Sequence, residues 1–128
     1  MENKDLDPFI REKRKYPRLD LIFDIQYELL KDISEEEVKS YEGKGKDISL
    51  GGMSFECKGI KKIQEGDIIF IKLSLQELEG NLNAMGRIVR IWEENNKTFC
   101  AVKITTMDPV DYEILNNIIR ENLNQNLS

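Results

Sequence analysis

The 128-residue chain contains no histidine, and this absence excludes much of the usual chemistry of active sites. Histidine is the commonest general base and the commonest metal ligand in proteins. Without it a nucleophile–base pair is hard to build, and no cluster of metal ligands is visible that a phosphodiesterase would need. The sequence therefore predicts a protein that is not an enzyme and that uses neither a metal nor a cofactor.

Cysteines and long apolar runs are also scarce. The two cysteines, Cys57 and Cys100, lie within alternating apolar stretches, so we interpret them as reduced core thiols rather than a disulfide or metal pair. No apolar run approaches the roughly 20 residues that span a membrane. No apolar signal segment follows residues 1–5. These absences predict a cytoplasmic protein without membrane insertion.

Acidic residues outnumber basic ones overall, but part of the positive charge is locally concentrated. The net charge is −5, whereas a general nucleic-acid-binding protein is usually basic. Five cations nevertheless lie between residues 11 and 18, at Arg11, Lys13, Arg14, Lys15 and Arg18. A cluster of this size suits a small dianionic ligand better than a long polyanion, so we expect neither DNA nor RNA as a partner.

Alternation of apolar and polar residues predicts six short strands separated by turn signals. The alternation is nearly complete in the first of them, where one face is expected to lie on a core. The predicted strands are Leu19–Leu29, Tyr41–Ser49, Met53–Cys57, Ile68–Leu75, Asn83–Trp92 and Thr98–Ile104. Residues 93–97 between the last two predict a polar hairpin loop. Strands of this length and spacing indicate an antiparallel barrel or sandwich.

The apolar pattern changes to a helical period after Met107. Asp108 is a good N-cap and Pro109 suits the first helical position. The apolar stripe that follows predicts one amphipathic helix from Pro109 to about Asn122, docked on the barrel. We expect residues 1–10 to form a flexible arm and residues 11–128 to form a single domain.

Two short motifs flank the first predicted strand. The first is an R-x-x-x-R pattern from Arg14 to Arg18, and the second is a D-x-S-x-x-G pattern from Asp47 to Gly52. An arginine fork matches the O6 and N7 acceptors of guanine, and a carboxylate matches its N1–H and N2–H donors. Asp47 and Ser49 leave the same face of a strand, and glycines after them allow the backbone to approach a ligand closely.

In this order and context, the two motifs resemble those of the PilZ domain, a bacterial receptor family for cyclic di-GMP. The resemblance implies an all-β fold, a six-stranded antiparallel β-barrel with a C-terminal α-helix, and cyclic di-GMP as the ligand. It assigns ligand contacts to Arg14, Arg18, Asp47, Ser49 and Gly52. Lys13, Gly51 and Arg90 are additional candidate contacts, Arg90 because residues 86–90 resemble a strand motif common in PilZ domains.

The resemblance also implies a function. A receptor of this family is expected to change conformation on binding, here by ordering residues 11–18, and to regulate an unidentified protein partner in motility, biofilm or exopolysaccharide control. It is expected to act as a monomer or homodimer. The alternatives are an adaptor with an idle ligand site and a small nucleic-acid-binding barrel. The second would need aromatic side chains among basic residues on one exposed strand face. We instead expect Trp92 and Phe99 to fill or rim the core.

Overall fold

A computed structural model of the chain describes residues 19–32, 40–58, 63–76 and 78–127. Within these ranges it contains six strands, a short 3₁₀ turn (Leu30–Asp32) and one helix. The elements are β1 (Leu19–Leu29), β2 (Tyr41–Ile48), β3 (Gly52–Cys57), β4 (Ile68–Ser74), β5 (Asn81–Glu94), β6 (Lys97–Met107) and α1 (Pro109–Leu127). The predicted arm over residues 1–10 lies outside the described residues.

The strands form a closed barrel in the order β1-β2-β3-β6-β5-β4. Every neighbouring pair is antiparallel. The prediction of a six-stranded antiparallel barrel with a C-terminal helix is therefore confirmed. Closure leaves the ladder without an open edge.

The inward residues of the strands build one core, which α1 completes from outside the barrel wall. Leu115, Ile118 and Ile119 of the helix are buried together with the strand residues. The helix begins as expected, because Asp108 Oδ1 accepts a hydrogen bond of 2.8 Å from the backbone N–H of Val110. It continues to Leu127, five residues beyond the predicted end at Asn122.

The hairpin between β5 and β6 differs from the prediction. Asn95 and Asn96 form a two-residue turn with φ values of 52° and 64°, and the ladder extends to the pair Glu94–Lys97. Asparagine tolerates the left-handed conformation better than most residues, so an Asn-Asn turn can close a tight hairpin. The prediction of a loop over residues 93–97 is wrong, and both strands are longer than expected.

The two cysteines are core thiols, as predicted. Both are free and buried, and their sulfur atoms lie 3.5 Å apart between β3 and β6. The hydrogen bond with the Cys57 thiol, followed by burial, raises the pKa of Cys100 above its usual range.

Among the described residues, no helix has the length and apolar character needed to cross a membrane.

Candidate ligand-binding groove

The turn between β2 and β3 is held by Ser49. Its hydroxyl accepts hydrogen bonds from the backbone N–H groups of Gly51, at 3.1 Å, and of Gly52, at 3.2 Å. The backbone N–H of Ser49 also donates to the carbonyl oxygen of Gly52 at 2.8 Å. The serine of the second motif therefore fixes the shape of the turn, which is the usual local role of a serine at such a position.

Gly52 is required by packing between strands. A Cβ atom at this position would collide with the carbonyl oxygen of Val102 on β6. The backbone N–H of Ile104 also donates to the carbonyl of Gly51 at 2.9 Å, which ties the turn to β6. Positive φ values among the described residues occur at Gly66, Asn95 and Asn96. The turn therefore uses glycine for close approach of two backbones rather than for left-handed geometry.

A row of paired residues crosses the outer wall of the barrel next to this turn. Asp47 on β2 pairs with Ser54 on β3, Ser54 pairs with Ala101 on β6, and Ala101 pairs with Arg90 on β5. The row thus has a carboxylate at one end, a hydroxyl and a methyl group in the middle, and a guanidinium at the other end. Three strand spacings separate its ends by about 14 Å.

Two cations flank a pair of stacked aromatic rings beside the arginine end of the row. The rings of Trp92 and Phe99 stack with centroids 5.8 Å apart and an interplanar angle of 20°. The Arg90 guanidinium lies 4.7 Å from the Trp92 ring centroid, and Lys46 Nζ lies 4.6 Å from the Phe99 centroid. Cations at these distances are attracted by the faces of the rings.

These features line one depression of about 350 Å³ on the outer wall, which we call the groove. Its walls contain the motif residues Asp47, Ser49, Gly51 and Gly52 and the cations Lys46, Arg90 and Lys103. A carboxylate, three cations and an aromatic face in one depression match the hydrogen-bonding edge, the phosphates and the rings of a nucleotide.

The structure brings together five of the eight residues predicted from the sequence. Asp47, Ser49, Gly51, Gly52 and Arg90 all line the groove. The other three are Lys13, Arg14 and Arg18, and these lie outside the described residues.

Among the other residues that line the groove, the sequence analysis did not identify the four with a polar or aromatic side chain, namely Lys46, Ser54, Trp92 and Lys103. The expectation that Trp92 and Phe99 fill or rim the core holds for Phe99, which is buried with 9% of its surface exposed. Trp92 is instead half-buried and lines the groove on an outer strand face. The spacing Arg90-x-Trp92 carried a signal, since residues two apart share a strand face. No sequence signal pointed to Lys46, because strict alternation would place it on the opposite face from Asp47. A register shift between Gly45 and Asp47 instead brings these neighbouring residues into the same groove.

Other depressions of the described surface fit a nucleotide less well. One of them, of about 430 Å³, lies across β1, β4 and β5 and is lined by Glu28, Phe70, Lys72, Met85 and Asp108 among others. Its two acidic residues outnumber its one basic residue. No group of three or more acidic or cysteine side chains that could hold a metal ion occurs within the described ranges.

Comparisons with known proteins agree with this geometry. The PilZ domain family model matches residues 12–121. The fold is similar to the PilZ domain with c-di-GMP of YcgR from Escherichia coli, with a TM-score of 0.68 and 19% identity over 86% of this chain and 91% of that chain. It is also similar to the Bacillus subtilis inhibitor of motility MotI/DgrA, with a TM-score of 0.70 and 22% identity. That match covers 88% of this chain and 52% of the other.

A third similar structure is the K. pneumonia MrkH–c-di-GMP complex, with a TM-score of 0.68 and 16% identity over 88% of this chain and 52% of that chain. This chain therefore spans about half the length of MotI and of MrkH. A search of curated proteins found no match. The family model covers most of the sequence, and its fold is the barrel described above. The chain belongs to the PilZ domain family.

Proposed function

We propose that this protein is a receptor for cyclic di-GMP that acts on a partner protein and is not itself an enzyme. The observation that carries the proposal is the groove, in which Asp47 lies at one end of a row of residues and Arg90, with Trp92, lies at the other. Two of the similar structures, those of YcgR and MrkH, contain c-di-GMP. A cytoplasmic location and regulation of motility, biofilm or exopolysaccharide are part of this proposal.

The two ends of the row suit different parts of the ligand. The carboxylate of Asp47 accepts hydrogen bonds from N1–H and N2–H of one guanine, which adenine cannot donate in that arrangement. The span of about 14 Å to Arg90 is longer than a single purine, so the arginine end faces the second base or a phosphate. There the Trp92 ring offers a stacking surface and Arg90 offers a planar fork of donors.

The remaining cations complete the site. Lys46 and Lys103 line the groove and can face the two phosphates. Arg14 and Arg18 of the first motif would add guanidinium groups from the segment that precedes β1, and their ordering around the ligand would change the surface that a partner contacts. A ligand shifts such an equilibrium only through its different affinity for the two states.

The proposal is tested by calorimetric titration of the protein with cyclic di-GMP and, in parallel, with cyclic di-AMP. We expect saturable binding of the guanine ligand and far weaker binding of the adenine ligand. Equal binding of the two dinucleotides would contradict the role of Asp47. Absence of binding to either would leave the adaptor with an idle ligand site as the better account.

A further inference from the structure

Apart from the tyrosine hydroxyl of Tyr27 in the core, Ser54 is the one buried polar side chain among the described residues, with 7% of its surface exposed. The other strongly buried side chains are apolar or aromatic and belong to the core. Its neighbours Met53 and Phe55 point into that core, so alternation along β3 directs Ser54 to the outer face. Ser54 therefore lies on the outer face of the barrel, where it lines the groove.

The hydroxyl of Ser54 has no protein partner within the described part of the chain, since it takes part in none of the hydrogen bonds there. Its oxygen is not among the fully buried, unpartnered atoms of the described structure, so it is open to the groove that the residue lines. An alanine at this place would serve the barrel at least as well. The need for a hydroxyl here is therefore unexplained by the fold alone.

The strand register puts this hydroxyl beside the base-binding carboxylate. Ser54 is the cross-strand partner of Asp47, and directly paired Cβ atoms lie about 4.5–5.5 Å apart. On its other side Ser54 pairs with Ala101, whose methyl group is too small to cover it. The hydroxyl thus faces the space that a base bound to Asp47 would occupy.

We propose that Ser54 contacts the same guanine as Asp47 and donates a hydrogen bond to an acceptor next to the edge that the carboxylate holds. This inference rests on the proposed function. Guanine presents N1–H and N2–H to Asp47, and these donors are flanked by the acceptors O6 and N3. A serine hydroxyl is short and rotates freely, so it matches either acceptor from a position one strand away.

The test is the variant Ser54→Ala, with Ser40→Ala as a matched control. Ser40 is an exposed serine that does not line the groove. We expect Ser54→Ala to raise the Kd for cyclic di-GMP about 3- to 10-fold, because this range corresponds to the loss of one neutral hydrogen bond. Its thermal unfolding temperature without ligand should equal or exceed that of the wild type. Ser40→Ala should change neither quantity.

Two results would overturn the inference. One is a Kd for Ser54→Ala that equals the wild-type value. The other is a lower unfolding temperature in the free variant, which would assign the hydroxyl to the fold. Both are distinct from failure of the proposed function, in which the wild-type protein itself does not bind cyclic di-GMP.

Discussion

Two hydroxyls of the barrel, those of Ser54 and Tyr27, make no hydrogen bond within the described residues, and they lie on opposite sides of its wall. Ser54 opens into the groove, whereas Tyr27 is 1% exposed within the core and its hydroxyl has no hydrogen-bond partner. The first can be satisfied by a ligand and the second cannot. The comparison separates the wall that we propose as the binding surface from the interior, whose side chains pack the core.

A consequence can be tested. Substitutions on the groove wall should change ligand binding with little effect on stability, and substitutions in the interior should do the reverse. The predictions below begin with the largest expected effect on the groove side.

The largest effect is expected at Asp47. Asp47→Asn replaces a charged acceptor of two hydrogen bonds by an amide that can accept one, and bonds to charged groups contribute about 1.5–3 kcal/mol each. We expect cyclic di-GMP to bind about 100-fold more weakly, as measured by calorimetry. Asp24→Asn is the matched control, because Asp24 is exposed on β1 and pairs with Lys44 at 3.0 Å. An effect of equal size in both variants would mean that general charge, and not the groove, controls binding.

The next largest effect on ligand binding is expected at the two arginines of the first motif. Arg14→Ala and Arg18→Ala should each weaken binding about 10- to 100-fold, because each removes charged hydrogen bonds to base or phosphate. The unfolding temperature of the free protein should stay near the wild-type value. Wild-type affinity in either variant would assign that arginine to the surface rather than to the ligand.

A smaller effect is expected at Trp92, the only tryptophan of the chain. Its ring lies in the groove, so a base stacked on it should quench the tryptophan fluorescence on titration. Trp92→Leu removes the flat surface and should weaken binding about 5- to 10-fold, within the range of base–aromatic stacking. Trp92→Phe keeps an aromatic ring and should bind nearly as well as the wild type. Unchanged fluorescence at saturation would place the ligand elsewhere.

The near-alternation of the strands, with glycine or asparagine in most of the turns, was sufficient to predict an antiparallel barrel or sandwich, and the resemblance to the PilZ domain selected the barrel. It also located Asp47, Ser49, Gly51, Gly52 and Arg90 before their proximity was known. It could not supply the register, and the row from Asp47 to Arg90 depends on which residues of four strands stand opposite each other.

Irregularities of the strands account for what was missed. Register shifts occur in β2 between Gly45 and Asp47 and in β5 between Ile88 and Arg90. Each adds a residue on one strand without a direct partner and alters which side chains share a face. Alternation alone therefore mispredicts the strand residues next to the groove, and Lys46 and Trp92 are among them.

The expectation for the barrel interior, that substitutions there change stability and not ligand binding, can be tested at Tyr27. Its ring packs against Tyr41 and Phe55 with centroid separations of 5.7 and 5.2 Å, while its hydroxyl lacks a partner in the described structure. Tyr27→Phe keeps the ring and removes only the unsatisfied oxygen. We expect the free energy of unfolding in urea to rise by about 1 kcal/mol at neutral pH, with the Kd for cyclic di-GMP unchanged.

Tyr27→Phe should also reduce the loss of stability at alkaline pH, measured as the free energy of unfolding. Burial, with the neighbouring Cys57 thiol as a smaller cause, raises the pKa of Tyr27 well above its usual value. In the unfolded chain tyrosine ionises near pH 10, so above this pH the unfolded state loses a proton that the folded state keeps. The free energy of unfolding must then fall as pH rises above about 10, and Tyr27→Phe should remove this part of the fall.

The control is Tyr112→Phe, because Tyr112 is a half-buried tyrosine of α1. A fall equally steep in wild type and Tyr27→Phe would show that the buried hydroxyl does not contribute to it.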